Sequence, residues 1–108
     1  MRTRVFFAKS PMRMLEAMIG PADLLEKLKA EEYEYVATVS AESPEAVFAA
    51  TQNFDVHWRE GVRSMSMGDI VYQSDWFWFC SPVGFTKLQA NDFTAALYHM
   101  AVMAETAG

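Results

Sequence analysis

A run of aromatic residues, Trp76-Phe77-Trp78-Phe79, followed by Cys80, constrains the fold of this chain more than any other feature. Aromatic residues are enriched in β-strands, and successive side chains of a strand point to opposite faces of the sheet. The two tryptophans are therefore predicted on one face and the two phenylalanines on the other. One pair can fill a core, and the other pair must be covered by a helix, a partner or a stacked ligand. We expect an apolar C-terminal helix to cover one face.

Strand signals on both sides of this run predict a small antiparallel sheet of about four or five strands. Residues 69–80 are predicted to form an aromatic hairpin with a three-residue loop at 73–75. Residues 3–8 are β-branched and aromatic, which is typical of a strand, and residues 84–88 are predicted to return as the last one. From residue 33 the pattern has a period of two, so the odd-numbered residues of 33–39 are predicted to share one face.

Three helices are predicted to pack on this sheet, at about residues 11–30, 43–53 and 91–105. The Ser-Pro-Glu sequence at 43–45 is typical of a helix N-terminus. A serine hydroxyl there accepts a hydrogen bond from an orphan amide, and proline fits the first turn. The buried stripe of this helix is predicted to consist of Val47, Ala50 and Phe54.

The helix predicted at 91–105 begins after Asn91, a favoured N-cap residue. Its predicted buried face consists of Phe93, Leu97, Met100 and Ala104. The opposite face is also apolar, and a helix that is apolar nearly all round is either deeply buried or shared with a partner. The sequence is therefore compatible with a homo-oligomer assembled through this helix.

Length and composition favour a single small, soluble α+β domain over residues 1–108. The formal net charge is -5, which disfavours nonspecific attraction to nucleic acid. With Cys80 as the sole cysteine and two histidines, the chain offers too few ligands for a zinc site, so no metal and no cofactor are expected. No apolar run reaches the length of a membrane span. We therefore expect a cytoplasmic protein without membrane contact.

Polar side chains concentrate in the segment 55–63, which is the candidate functional loop. Its candidate binding residues are Asp55, His57, Trp58, Arg59 and Arg63. His57, close in sequence to Asp55 and Glu60, fits a general base with an orienting carboxylate, so a small enzyme centred on His57 is one hypothesis. No nucleophile motif or phosphate-binding run of glycines accompanies it. A surface or hydrogen-bonded histidine is the favoured interpretation, and the chain is predicted not to be an enzyme.

Trp76 and Trp78 are candidate binding residues of a second kind, because an aromatic sheet face can stack against a nucleobase or nucleotide. The basic residues that would assist in this alternative are Arg2, Arg4 and Arg13. Lys and Arg are absent between Arg63 and Lys87, so the sequence shows no basic groove beside the platform. Nucleic-acid binding therefore stays as a disfavoured alternative.

Four parts of the middle of the chain form a distinctive pattern, namely Ala46-Val47-Phe48-Ala49-Ala50-Thr51-Gln52-Asn53, Trp58, Arg63-Ser64-Met65-Ser66-Met67-Gly68-Asp69-Ile70-Val71 and Gly84-Phe85. This pattern resembles a family of small proteins from phages, plasmids and bacterial mobile elements. In that family the four parts form a helix ending in Gln-Asn, a tryptophan loop, a turn and an aromatic hairpin. The loop at 54–62 is shorter here than in the family. The resemblance implies an accessory protein and supplies no known activity or functional residue.

These observations together predict a non-enzymatic accessory protein of a phage or mobile element that binds another protein, with inhibition of a host defence system as the specific hypothesis. The aromatic hairpin and the loop at 55–63 are the candidate contacts. Nucleic-acid or nucleotide binding is the first alternative, and a small enzyme is the second.

Overall fold

A sheet and helices account for most of the residues that the structure, a computed structural model, describes, which are 1–9, 28–52, 63–81 and 84–107. In chain order the elements are β1 (Arg2–Ala8), a 3-10 turn (Ala30–Glu32), β2 (Tyr33–Ser40), α1 (Pro44–Gln52), β3 (Ile70–Gln73), β4 (Trp76–Ser81), β5 (Gly84–Leu88) and α2 (Asp92–Ala107). The predicted α+β fold is confirmed, and α1 and α2 are the helices predicted at 43–53 and 91–105. Most of the helix predicted at 11–30 lies outside the described residues.

The strands form one sheet in the order β2-β1-β3-β4-β5, and every neighbouring pair is antiparallel. Although β1 is first in sequence, it lies inside the sheet between β2 and β3. Val5, for example, pairs with Ala37 on one side and Val71 on the other. The strands β3, β4 and β5 follow one another as consecutive hairpins, the simplest antiparallel connection. The described residues thus contain the predicted sheet, with five strands.

One face of the sheet is covered by α2, as the alternation of the aromatic strand predicts. Phe77 and Phe79 are buried here against Phe93, Leu97 and Ala101 of the helix. The sheet contributes further buried residues to this cluster, namely Phe6, Tyr33, Ile70 and Leu88. Burying an aliphatic or phenyl side chain is worth about 1.5–3 kcal/mol, so this layer holds the helix firmly on the sheet. Within α2, Ala101 occupies the buried position predicted for Ala104, which is exposed.

The other face is covered by α1 and by the segment 63–66. Ser43 caps α1 as predicted, its hydroxyl oxygen accepting a hydrogen bond from the Ala46 amide at 3.1 Å. Val47 is buried as predicted, but Ala50 is exposed and Thr51 takes the buried position instead. The Thr51 hydroxyl oxygen accepts from the Met65 amide at 3.0 Å, which fixes the segment against the helix. Phe54 lies outside the described residues.

A β-bulge in β2 changes which of its side chains share a face. Val5 pairs with Ala37 and the next residue, Phe6, pairs with Tyr35, so Val36 is the extra residue. Tyr35 therefore packs on the α2 face, whereas Val36 and Val39 pack on the α1 face. The prediction that the odd-numbered residues of 33–39 share one face is wrong, because an extra residue reverses the alternation beyond it.

The turn between β3 and β4 contains two residues rather than the predicted three. Gln73 pairs with Trp76, which leaves Ser74 and Asp75 as the loop. Both have positive φ, 54° and 67°, as a type I′ hairpin turn requires. The favoured sequence for this turn is Asn-Gly or Asp-Gly, and the absence of glycine here explains why the shorter loop was not predicted.

Candidate functional site

An apolar cleft of about 400 Å³ lies between the end of the β3–β4 hairpin and the first half of α2. Its lining residues are Tyr72, Asp75, Trp76, Phe77, Leu88, Ala90, Asn91, Thr94, Ala95 and Tyr98. We call it the hairpin cleft. Two of the lining side chains, Trp76 and Tyr98, are 42% and 43% exposed, while Phe77 and Leu88 belong to the buried core. The cleft therefore joins solvent-exposed aromatic rings to a rigid interior.

The position of Trp76 is set by the hairpin turn and by a cation from the neighbouring strand. Lys87 of β5 pairs with Trp78, and its ammonium nitrogen lies 4.1 Å from the centroid of the Trp76 ring and 5.4 Å from that of Trp78. A cation over an indole face is attracted to the ring by about 0.5–1 kcal/mol at an exposed site. This contact restrains the exposed Trp76 ring.

Trp78 differs from Trp76 in its exposure and in its contacts. It is half-buried and packs with the cluster on the α1 face of the sheet. Its indole N–H donates to the carbonyl oxygen of Gln73 at 3.3 Å. Because its one polar atom is bonded and its ring packs on a core, Trp78 has a structural role, and one exposed indole remains where the sequence predicted a two-ring platform.

Tyr98, across the cleft, is held by an aromatic contact and by a second cation. Its ring meets that of Tyr72 edge to face, with centroids 5.5 Å apart. The Arg4 guanidinium lies 5.1 Å from the Tyr98 centroid and 5.9 Å from the Tyr72 centroid. Arg4 is in turn paired with Glu105 at 2.9 Å, a carboxylate that it shares with Arg2. That hydrogen bond is the main cause of the raised pKa of Arg4.

The charge of the cleft lining is negative. Asp75 supplies a carboxylate from the hairpin turn, and no Lys, Arg or His occurs among the lining residues that the structure describes. Burial raises the pKa of Tyr72, and the charge of Asp75 together with a hydrogen bond to its carboxylate raises it further. The Asp75 carboxylate thus lies against the aromatic wall of the cleft.

Arg63, a predicted binding residue, is engaged within the protein itself. Its guanidinium donates to both carboxylate oxygens of Asp69, at 2.7 and 2.8 Å, and to the Ala8 carbonyl oxygen at 3.0 Å. The Arg63 guanidinium also lies 4.3 Å from the Phe7 ring centroid.

The carboxylate partner of Arg63, Asp69, is fully buried and accepts further hydrogen bonds from the backbone amides of Ala8 and Ser66. The hydrogen bond with Asp69 raises the pKa of Arg63. Arg63 therefore ties the segment before β3 to β1.

Arg2 and Arg4 are the described basic residues of the nucleic-acid alternative, and both bind Glu105 of α2. The Glu105 carboxylate accepts from Arg2 at 2.8 Å, from Arg4 at 2.9 Å and from the Thr38 hydroxyl at 2.8 Å. The hydrogen bond from Arg4 is the main cause of the lowered pKa of Glu105. Trp78, one of the two residues of the predicted platform, packs with the cluster on the other face of the sheet.

The predicted site residues are not brought together within the described part of the chain. Arg63 binds at the beginning of β3, whereas Trp76 lies beyond its end. The remaining candidates, Asp55, His57, Trp58 and Arg59, lie outside the described residues, as does Arg13. His57, on which the enzyme hypothesis rests, therefore lies outside the described residues as well.

Tyr72, Asp75 and Tyr98 of the cleft lining were not among the predicted site residues, and neither was Lys87, which contacts Trp76. The apolar second face of the C-terminal helix was the signal for Tyr98. For Lys87 the signal was the short β4–β5 hairpin, because closing it at Ser81 and Gly84 places Lys87 opposite Trp78. Nothing in the local sequence indicated that Tyr72 and Tyr98 would meet.

Cys80 is a buried core residue. It is 4% exposed, and burial raises the pKa of its thiol to about 11, with a smaller contribution from the charge of Asp69. A thiol in such a setting stays protonated and unreactive near neutral pH. The described residues include no group of three or more His, Cys, Asp or Glu that could hold a metal ion.

Comparisons with known proteins supply no relative for this chain. No family model, curated protein or solved structure gives a significant match. Among the described residues, no helix has both the length and the apolar character needed to cross a membrane. The candidate site therefore rests on the geometry of the hairpin cleft alone.

Proposed function

We propose that this protein acts by binding another protein, with the hairpin cleft as its contact surface. The observation that carries the proposal is the pair of exposed aromatic side chains, Trp76 and Tyr98, that line one cleft together with the core residues Phe77 and Leu88. Trp and Tyr are enriched at the residues that dominate protein interfaces. Exposed apolar surface beside a concave site is a further mark of an interface.

Restraint of the two rings supports this proposal. Trp76 is held by Lys87, and Tyr98 by Tyr72 and Arg4. A partner that binds rings already fixed in position loses less conformational entropy on association. The same geometry in a flexible loop would bind more weakly.

The resemblance to proteins of phages, plasmids and mobile elements supports a role as an accessory protein of such an element, acting in the cytoplasm. A component of a host defence system is the partner class that this role favours. The net charge of -5 supports a protein partner over a nucleic acid.

Site-specific photo-cross-linking in the cells that encode the protein tests the proposal. A cross-linkable phenylalanine analogue replaces Tyr98 in one variant and Met103 in a control, since both residues are exposed on α2. We expect a defined adduct from position 98 that is absent from position 103 and is lost when Trp76→Ala is added. Equal adducts at both positions, or none at position 98, would overturn the assignment of the cleft.

The same adduct identifies a second copy of the chain if its mass is twice that of the protein. Homo-oligomerisation through α2 would then be the interaction, as the apolar character of this helix suggested. Sedimentation of the purified protein decides independently between a monomer and a dimer.

A further inference from the structure

We propose that the hairpin cleft is a receptor for an arginine side chain of a protein partner. This inference rests on the proposed function and specifies the chemistry of the residue that enters the cleft. It follows from three observations: the aromatic walls, the carboxylate of Asp75, and two guanidinium groups that this protein already holds by the same combination.

The walls and the carboxylate together fit a guanidinium group better than other side chains. A guanidinium is planar, stacks on the faces of Trp and Tyr, and donates paired hydrogen bonds to a carboxylate. Trp76 and Tyr98 supply the rings, and Asp75 lines the same cleft. An aliphatic side chain would bury part of the Asp75 carboxylate without pairing its charge, which is unfavourable. A lysine ammonium is more strongly hydrated than a guanidinium and cannot form the planar stack.

The protein itself provides the first precedent in Arg63. Its guanidinium lies 4.3 Å over the Phe7 ring and donates to both oxygens of the Asp69 carboxylate. An aromatic face and a carboxylate therefore hold this arginine between them. The interaction is intramolecular and needs no further component.

The second precedent is Arg4, which contacts Tyr98, one of the lining residues of the cleft. Arg4 lies 5.1 Å from the Tyr98 centroid and is hydrogen-bonded to both carboxylate oxygens of Glu105. The hairpin cleft has the same two ingredients, aromatic rings and the Asp75 carboxylate, without a basic residue among its described lining. An arginine from a partner would complete the combination for a third time.

Two cations of the protein, Arg4 and Lys87, already lie near the rings of the cleft, and their charges affect the binding of an arginine from a partner. Arg4 is paired with Glu105 at 2.9 Å, a carboxylate that it shares with Arg2 at 2.8 Å. Lys87 is exposed to water and salt, which weaken its repulsion of a second cation. The chain as a whole carries a net charge of -5, which attracts a basic segment of a partner over longer distances. The attraction of a cationic ligand therefore rests on the Asp75 carboxylate at short range and on the net charge of the chain at long range.

The test compares two short peptides, acetyl-Gly-Arg-Gly-amide and acetyl-Gly-citrulline-Gly-amide, by NMR titration of the full chain. Citrulline has the shape of arginine without its charge. We expect the arginine peptide to shift the indole N–H signal of Trp76 and the amide signals of Asn91 and Ala95. Stacking and pairing with a carboxylate at an exposed site should make its affinity about tenfold higher than that of the citrulline peptide.

Two matched variants test whether the Asp75 carboxylate is the charge that binds the arginine. Asp75→Asn removes the carboxylate while keeping the turn, because asparagine readily adopts positive φ. It should weaken the arginine peptide about threefold and leave the citrulline peptide unchanged. Asp92→Asn removes an exposed carboxylate at the beginning of α2 that does not line the cleft, and it should change neither affinity.

Each outcome decides between the two proposals. If citrulline binds as well as arginine, the arginine inference is overturned while the cleft remains a contact surface. Shifts that are unaffected by Asp75→Asn also overturn it. If neither peptide moves a cleft signal up to about 50 mM, a concentration well above an ordinary weak dissociation constant, the inference fails, and the cross-linking experiment alone decides the proposed function.

Discussion

Arg63 donates hydrogen bonds to both carboxylate oxygens of Asp69, at 2.7 and 2.8 Å, and the two residues differ sharply in exposure. The Asp69 side chain is 0% exposed, whereas that of Arg63 is 44% exposed. A carboxylate without contact to water depends on its protein partners for compensation of its charge. Arg63 is therefore the counter-ion of a buried charge that also anchors the beginning of the aromatic hairpin.

Arg63→Ala should destabilise the protein by about 2 kcal/mol, less than the 3–5 kcal/mol typical of a fully buried pair because Arg63 is partly exposed. The two backbone amides that also bind Asp69 limit the loss. Urea denaturation measures the effect. Arg2→Ala is the control, since the Arg2 side chain is 66% exposed and surface pairs contribute about 0–1 kcal/mol. Equal losses in both variants would contradict this role for Arg63.

Lys87→Gln should free the Trp76 ring and lower the free energy of unfolding by about 0.5–1 kcal/mol. The physical reason is loss of the cation that lies 4.1 Å from the ring centroid. The heteronuclear NOE of the Trp76 indole N–H should fall as the ring becomes more mobile. Lys87→Arg keeps the cation and should retain both properties. Lys9→Gln, on another exposed lysine, serves as the control, and a loss of the same size there would argue against a specific contact.

Acid should weaken the contact between α2 and the first two strands. The pKa of Glu105 in the folded protein lies below its ordinary value of 4.5, chiefly because Arg4 and Thr38 donate hydrogen bonds to it. The folded state therefore binds this proton less readily than the unfolded chain. The resulting stability is complete above the ordinary pKa and is lost as the pH falls through 4.5 toward the folded value.

Glu105→Gln tests this dependence. The variant should be less stable than the wild type near neutral pH, and the difference should shrink as the pH is lowered through the window below 4.5. Denaturation at a series of pH values measures it. Glu31→Gln, at an exposed position outside the network, is the control. A difference between Glu105→Gln and the wild type that stays constant with pH would contradict the role of the ionised carboxylate.

Cys80 should resist alkylation in the folded protein. With the thiol pKa raised to about 11, roughly one molecule in a thousand carries the thiolate at about pH 8, and the side chain is 4% exposed. Labelling with a thiol reagent should therefore be slow in buffer and rapid in urea. Equally rapid labelling in both conditions would show that the aromatic strand opens readily.

Asp75→Gly should stabilise the hairpin. Asp75 has a φ of 67°, a region that glycine occupies without the steric cost borne by other residues. The expected gain is about 0.5–1 kcal/mol, measured by urea denaturation. Asp75→Ala is the control, since alanine lacks both the freedom of glycine and the local hydrogen bonding of aspartate, and it should destabilise. A loss of stability in Asp75→Gly would mean that the carboxylate contributes more to the fold than the turn costs.

The sheet was predictable from the sequence because its signals are local. Residues that favour strands occur throughout β1 and β4, and a hairpin forms between two strands that follow one another in the sequence. The bulge at Val36 was not predictable, because Val36 and Ala37 are both apolar and the side-chain pattern does not reveal which residue is the extra one. Its position is set by the register of β1 against β2.

The site was less predictable than the fold, because it joins segments distant in sequence. Trp76 stood out as an exposed aromatic candidate through alternation. Tyr98 lines the same cleft only because α2 packs across the sheet, and Arg4 of β1 contacts the Tyr98 ring. The pairing of Arg63 with Asp69 was not predicted, because Arg63 was assigned to the loop at 55–63 and Asp69 to the aromatic hairpin.

In the turn formed by Ser74 and Asp75, the residue type that favours stability differs from the one that favours the proposed binding. Both residues occupy a backbone region that suits glycine, and a thermostabilising redesign would begin there. Glycine at position 75 would also remove the Asp75 carboxylate from the lining of the cleft. If the cleft binds as proposed, selection for heat tolerance alone should yield more stable molecules that bind their partner less tightly, whereas asparagine at the same position should weaken binding without a gain in stability.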